Sequence, residues 1–279
     1  MVATPLGNPG DLSPRARACL EQADAVLAED TRRAALACSR WGLAVRRLIS
    51  LHDHNEERKK DAALSLLRQG QCLALMSDAG MPVLADPGYV LVRACREAGL
   101  PVSVIPGPCA PVTALAGSGI APQPFVFFGF LPRGQADQEA VLAPYACLPA
   151  TLVFFERKDR LTGTLTLAAR LLGPREGCLA RELTKTHEEY RRFRLEDLTS
   201  HGNLPAGWSG ILGEVTVILG PPERRERTPR AEVEALIAEE VPRGGTPREV
   251  ARRVQARVHG WISGEIYSML PRMGRPPRH

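Results

Sequence analysis

Lysine is scarce in this chain: of 36 basic residues only Lys59, Lys60, Lys158 and Lys185 are lysines, so arginine carries almost all of the positive charge. No stretch approaches the roughly 20 consecutive apolar residues that a membrane-spanning helix needs. The opening MVATPLGNPG has neither the basic segment nor the apolar run of a secretory signal. The seven cysteines include no C-x-x-C pair, which argues against a disulfide framework or a structural zinc site. A cytoplasmic protein with reduced thiols is expected. Neither G-x-x-x-x-G-K-S/T nor G-x-G-x-x-G occurs, so the P-loop and dinucleotide signatures are excluded. Ser77-Asp78 lacks the G-x-S-x-G context of a serine hydrolase. His52-x-His54 with Asp53 has no further ligand at suitable spacing, so no metal is expected.

What is present is an ordinary globular composition, 44% hydrophobic and 24% charged over 279 residues, long enough for two domains and a short appendage. Over residues 1–118 short apolar runs (25–28, 47–51, 72–76, 102–105) alternate with helical patterns (14–23, 32–41, 56–69, 90–98), which predicts a mostly parallel α/β sheet. Residues 123–222 carry five strand patterns, 125–130, 151–156, 177–184, 189–195 and 214–219, with one clear helix at 159–172. Fewer crossovers mean more antiparallel pairing, so this second part is expected to be α+β with a mixed sheet. Residues 223–279 form a small helical unit, with helices at 230–240 and 264–270 and a capping box at Thr246-Pro247-Arg248-Glu249. From Pro221 onward twelve arginines face eight acidic residues, while the whole chain has a net charge of +5. That excess suits a polyanion such as RNA, and it equally reflects arginine usage along the whole chain.

The densest turn chemistry is SDAGMPVLADPG at 77–88, which follows the apolar run 72–76. In an open α/β sheet, ligands bind beyond the carboxyl ends of the strands. The other strand exits of this half are equally unusual: TPLGNPGD (4–11), EDTR (29–32), HDHN (52–55) and PGPC (106–109). Five such loops on one edge point to a small-molecule site. In the second half FFER (154–157) and RELTKTHEE (181–189) put further charges at strand ends.

These loops, together with AEDTRR (28–33), VIPGPCAPVTAL (104–115), FFGFLPR (127–133) and GEVTVIL (213–219), resemble the ribosomal RNA small-subunit methyltransferase I family of the tetrapyrrole-methylase fold. The resemblance covers the chain to about residue 220. It implies a two-domain fold, S-adenosylmethionine as cofactor, a homodimer, and 16S ribosomal RNA within the small ribosomal subunit as partner. The implied reaction is methyl transfer to the ribose 2′-hydroxyl of a cytidine in the decoding centre. It further implies that Pro5, Ser77, Asp78, Ala79, Val83, Pro108, Cys109, Ala110, Phe155 and Leu183 hold the cofactor. Glu29, Asp30, Glu156, Glu182 and Lys185 are the catalytic candidates, and Arg32 and Arg181 the candidates for RNA phosphates. Cys109 stands where the family usually has Ser, and Arg157-Lys158 where it usually has Ser-Pro. Two alternatives remain open at this point: a tetrapyrrole C-methylase on the same fold, and a non-catalytic RNA-binding or assembly protein.

Overall fold

A computed structural model describes residues 1–198, 214–223, 228–258 and 260–270. The chain divides into two compact units, Met1–Pro222 and Glu223–His279.

The first unit holds both sheets. Ser13 caps α1 (Pro14–Gln22) through a 3.1 Å bond from Ala16 N–H, with Pro at the first helical position. α1 leads into the wholly buried strand β1 (Ala25–Ala28). Then come α2 (Thr31–Arg40), β2 (Leu48–Ser50), α3 (Glu56–Arg68), β3 (Leu73–Leu75) and α4 (Tyr89–Glu97). β1 lies between β2 and β3 and pairs with both in parallel, as crossover helices between strands require. The chain start extends this sheet: Val2 N–H donates to Leu75 C=O at 2.8 Å, and Ile105 N–H donates to Met1 C=O at 2.8 Å. The expected strand at 102–105 is reduced to the single bridge between Ile105 and Val2. It has no strand neighbour on its far side among the described residues, and Val104 stands 45% exposed.

Two helices were not expected. α5 (Ala110–Ser118) is built of small apolar residues that give no amphipathic stripe, and it ends at Gly119 with φ +70°. α6 (Gln135–Leu142) is short and starts without a capping side chain. The second sheet contains β4 (Phe125–Phe130), β5 (Thr151–Arg157), β6 (Glu176–Arg181), β7 (Glu189–Arg194) and β8 (Glu214–Leu219), in the order β4-β5-β8-β6-β7. β4 and β5 are parallel and the other pairs antiparallel, which makes the sheet mixed. α7 (Lys158–Leu172) covers one face, where Leu152, Phe154, Leu165, Leu179 and Val217 are buried together. α5 covers the other, against Val153, Cys178, Ala180 and Ile218. Strand residues alternate between the two cores because successive side chains point to opposite faces.

The second unit packs α8 (Arg230–Glu240), α9 (Pro247–Gln255) and α10 (Ser263–Met269) around Val233, Ile237, Val250, Val254 and Ile266. The capping box at Thr246 and Glu249 is formed. Of its six described arginines, four bond glutamates. Arg248 and Arg252 stand exposed one turn apart on α9, without an ion pair among the described residues. Arg224, Arg225, Arg227, Arg272, Arg275 and Arg278 of the basic tail, and Gly213 of the GEVTVIL motif, lie outside the described residues.

Candidate active site

The loop after β3 is fastened to the chain start. Thr4 and Gly80 exchange both backbone hydrogen bonds, at 2.9 and 3.0 Å, with Gly80 at φ +82°. Thr4 Oγ1 donates to Ser77 C=O at 3.2 Å, and Ser77 Oγ donates to Gly80 C=O at 3.1 Å. Pro5 and Ser77 are therefore buried in this staple and shape the loop from behind. A second loop leans on the same segment: Asn8 N–H donates to Thr184 Oγ1 at 3.1 Å, and the Lys185 stem packs so closely on Gly7 that a Cβ there would meet it at 2.3 Å.

Between these loops and the second sheet opens a cleft of about 660 Å³. Of the residues singled out in the sequence, Glu29, Asp78, Ala79, Ala110, Phe155, Arg181, Glu182, Leu183 and Lys185 line it. On the first-sheet side, Arg33 Nη1 donates to Asp78 Oδ2 at 2.7 Å, while Asp78 Oδ1 is buried without a partner. Glu29 stands at the rim. Desolvation first, and then the negative charges of Asp78 and Asp53, push its carboxyl above the ordinary carboxylate range. On the second-sheet side Lys185 Nζ lies 3.0 Å from Glu182 Oε1. The Nε of Arg181 bonds Glu189 at 2.6 Å, and the two arginines Arg191 and Arg181 hold Glu189 below the ordinary range.

Among the described residues three non-glycine residues have positive φ, and all lie in these loops: Val83 at +80°, Glu182 at +49° and Thr184 at +64°. For a β-branched residue such as Val83 that conformation is strained, and strain of this kind collects at ligand sites. Val83 itself does not line the cleft; it packs beside Gly88 and against the buried cluster that includes Leu75 and Leu91. Pro108 and Cys109 stand just outside the lining, ahead of Ala110 at the start of α5.

Some expectations are redirected. Glu156 is not brought into the cleft. It has no exposed side-chain surface, accepts from Thr164 Oγ1 at 2.6 Å and Arg160 Nη2 at 3.1 Å, and faces the α7 core. Phe155 and Glu156 are adjacent on β5 and so cannot share a face. Asp30 caps α2 by accepting from Arg32 and Arg33 N–H, and Arg32 extends into solvent with 92% of its side chain exposed.

Eight lining residues were not among the site candidates, Leu6, Arg33, Ala85, Asp86, Phe130, Ala180, Val215 and Thr216, and of these Arg33 and Phe130 bring charge and a ring face. Phe130 had a readable signal. Gly129, at φ +68°, adds one residue to β4 between the Phe127–Val153 and Phe130–Phe155 pairs. That bulge turns Phe130 to the face of Phe155, with ring centroids 5.3 Å apart.

The cleft suits a ligand with an amino-acid end and an aromatic end. The free Asp78 oxygen needs a donor, the Gly- and Pro-rich loops present backbone groups, and Phe155 and Phe130 offer ring faces.

Comparison with known proteins first gives the class. The family described as Tetrapyrrole (Corrin/Porphyrin) Methylases matches residues 1–199. The solved uroporphyrin-III C-methyl transferase from Thermus thermophilus, complexed with S-adenyl homocysteine, shares the fold with a TM-score of 0.54. That match has 21% identity and covers 78% of this chain and 95% of that one. Sequence relatives are much nearer. Ribosomal RNA small subunit methyltransferase I of Micromonospora olivasterospora is 40% identical, over 98% of this chain and 88% of that protein. Its counterpart in Pasteurella multocida is 39% identical, over 96% and 94%. The chain belongs to the ribosomal RNA small subunit methyltransferase I family and is a methyltransferase. The tetrapyrrole C-methylase alternative is not favoured, because the porphyrinoid enzyme shares only the fold.

Proposed function

We propose that this protein methylates the ribose 2′-hydroxyl of a cytidine in the decoding centre of 16S ribosomal RNA, within the small subunit and in the cytoplasm. The observation that carries the reading is the meeting, in one cleft, of a raised Glu29 carboxyl, an unpartnered buried Asp78 oxygen and the Phe155–Phe130 wall. S-adenosylmethionine, when bound, supplies a methyl group activated by its sulfonium. Asp78 Oδ1 and the backbone of 77–80 and 108–110 hold its amino-acid end, with Val83 keeping the loop in shape. Phe155 and Leu183 flank its aromatic end.

Glu29 would take up the proton that the 2′-hydroxyl loses as its oxygen receives the methyl group and the sulfur–methyl bond breaks, leaving a neutral thioether; its raised pKa brings it nearer to the working pH of a general base. Glu182 and Lys185 orient the ribose from the opposite wall, and Asp30 keeps Glu29 in place by fixing the start of α2. Arg32 at the rim and Arg181 in the wall contact phosphates. The working form in this proposal is a homodimer. No helix of the described residues is long and apolar enough to cross a membrane.

Incubation with radiolabelled S-adenosylmethionine tests the reading, offering 30S subunits from cells lacking this modification and uroporphyrinogen side by side. Alkali-resistant label at a single cytidine is the expected result; unlabelled RNA overturns it. The mass measured by light scattering tests the dimer.

A further inference from the structure

The methyl-transfer cleft does not end at Phe130. A groove of about 640 Å³ begins on the other side of that ring, and its walls carry Arg133, Arg157 and Arg160 against a single acid, Asp159. A further depression of about 730 Å³ shares Arg133, Asp159 and Arg160 with the groove and adds Arg170. The three hollows are thus linked through shared residues, and Phe130, 43% exposed, stands at the first junction.

Resting on the function proposed above, we propose that this groove binds the sugar–phosphate backbone of the single-stranded RNA flanking the target nucleotide, with Arg133 and Arg157 as the phosphate contacts. The floor is built before any ligand arrives. Arg160 Nη2 donates to the carbonyls of Leu131 and Pro132 at 2.9 and 2.7 Å and to buried Glu156 at 3.1 Å. Gln138 Nε2 donates to Pro132 C=O at 2.8 Å. Nη2 thereby ties Arg160 to the floor, and Arg133 is left on the crest of a pinned loop, exposed and without an ion pair among the described residues. The Arg157 guanidinium meets Asp159 at 3.4 Å, with both side chains about 60% exposed. Such a pair is weak, and a phosphate oxygen competes with it readily. Exposed Lys158 adds a further charge beside it.

Arginine forks bind phosphates in a bidentate way, and an exposed ring beside them stacks a base of any sequence. An unpaired strand fits because the target ribose has to leave any duplex to enter a cleft.

The test is equilibrium binding of a fluorescein-labelled single-stranded oligoribonucleotide, followed by anisotropy across a KCl series, for wild type and R133A/R157A. Removing one arginine–phosphate pair lowers the slope of log affinity against log salt by about 0.7. The double variant is therefore expected to bind roughly tenfold more weakly at low salt, with a slope shallower by about 1.4. R133K/R157K restores the slope. Retained S-adenosylmethionine binding by calorimetry certifies that the variants fold. A wild-type protein that methylates 30S subunits, paired with an unchanged slope in R133A/R157A, overturns the groove alone. A wild-type protein that neither methylates 30S subunits nor binds the probe overturns the proposed function and the groove together.

Discussion

Two acidic clusters in this chain have opposite electrostatic characters. Around Glu240, buried in the helical unit, Arg243, Arg253 and Arg257 all approach within 2.9 Å. Hydrogen bonds from Arg253 lead in holding its carboxyl below the ordinary range. Around Glu29 the balance is reversed: desolvation and the neighbouring acids Asp78 and Asp53 outweigh Arg33, and one Asp78 oxygen has no partner at all. A closed cluster is a structural joint, while an open one keeps capacity for a ligand or a proton. Glu156 belongs with the closed kind, although its place after Phe-Phe in the sequence looks catalytic.

The sharpest way to break this comparison is Glu29→Gln. We expect kcat to fall by at least about 100-fold. In the wild type, activity rises with pH as Glu29 loses its proton, at a value above the ordinary carboxylate range; that limb disappears in the variant. An unaltered pH profile would assign the base elsewhere. Glu156→Ala comes next, through stability: removing the buried partner of Arg160 is expected to cost about 3 kcal/mol in denaturant unfolding. Asp78→Asn should weaken S-adenosylmethionine binding about tenfold by calorimetry, the worth of one charge-assisted hydrogen bond. It also removes a charge that raises Glu29, so the acid limb moves to lower pH. The smallest effect is expected at Glu240. Its lowered pKa contributes stability above the ordinary carboxylate range, and that contribution is lost as pH falls through the lowered value. Fluorescence of Trp261 reports it, and Glu240→Gln should flatten the dependence.

Much of the architecture was legible because it is written in period and punctuation. The buried run 25–28, the Ser13-Pro14 cap and the Thr246–Glu249 box all form where the sequence puts them. α5 was not legible, since Ala, Pro, Val, Thr and Gly in succession mark no face. In the site, the strand-exit loops pointed to Glu29, Asp78 and Leu183, which do line one cleft. The pairing of Arg33 with Asp78 joins residues 45 apart, and no local pattern encodes it. Glu156 went astray for a reason the sequence did contain: it and Phe155 are neighbours on a strand, and only one of two neighbours can face inward.

Gly129 adds nothing to the cleft but length, and that makes the doorway sensitive to what stands at this one position. Most changes of residue type along 127–130 alter how well Phe130 fits, whereas a β-branched residue at 129, which does not hold a φ of +68°, would straighten the strand and leave Phe130, three residues on from Phe127, pointing to the far side of the sheet. Relatives of this enzyme should therefore tolerate a gap of one at the threshold, which keeps that ring opposite Phe155, more readily than a bulky residue in place of Gly129.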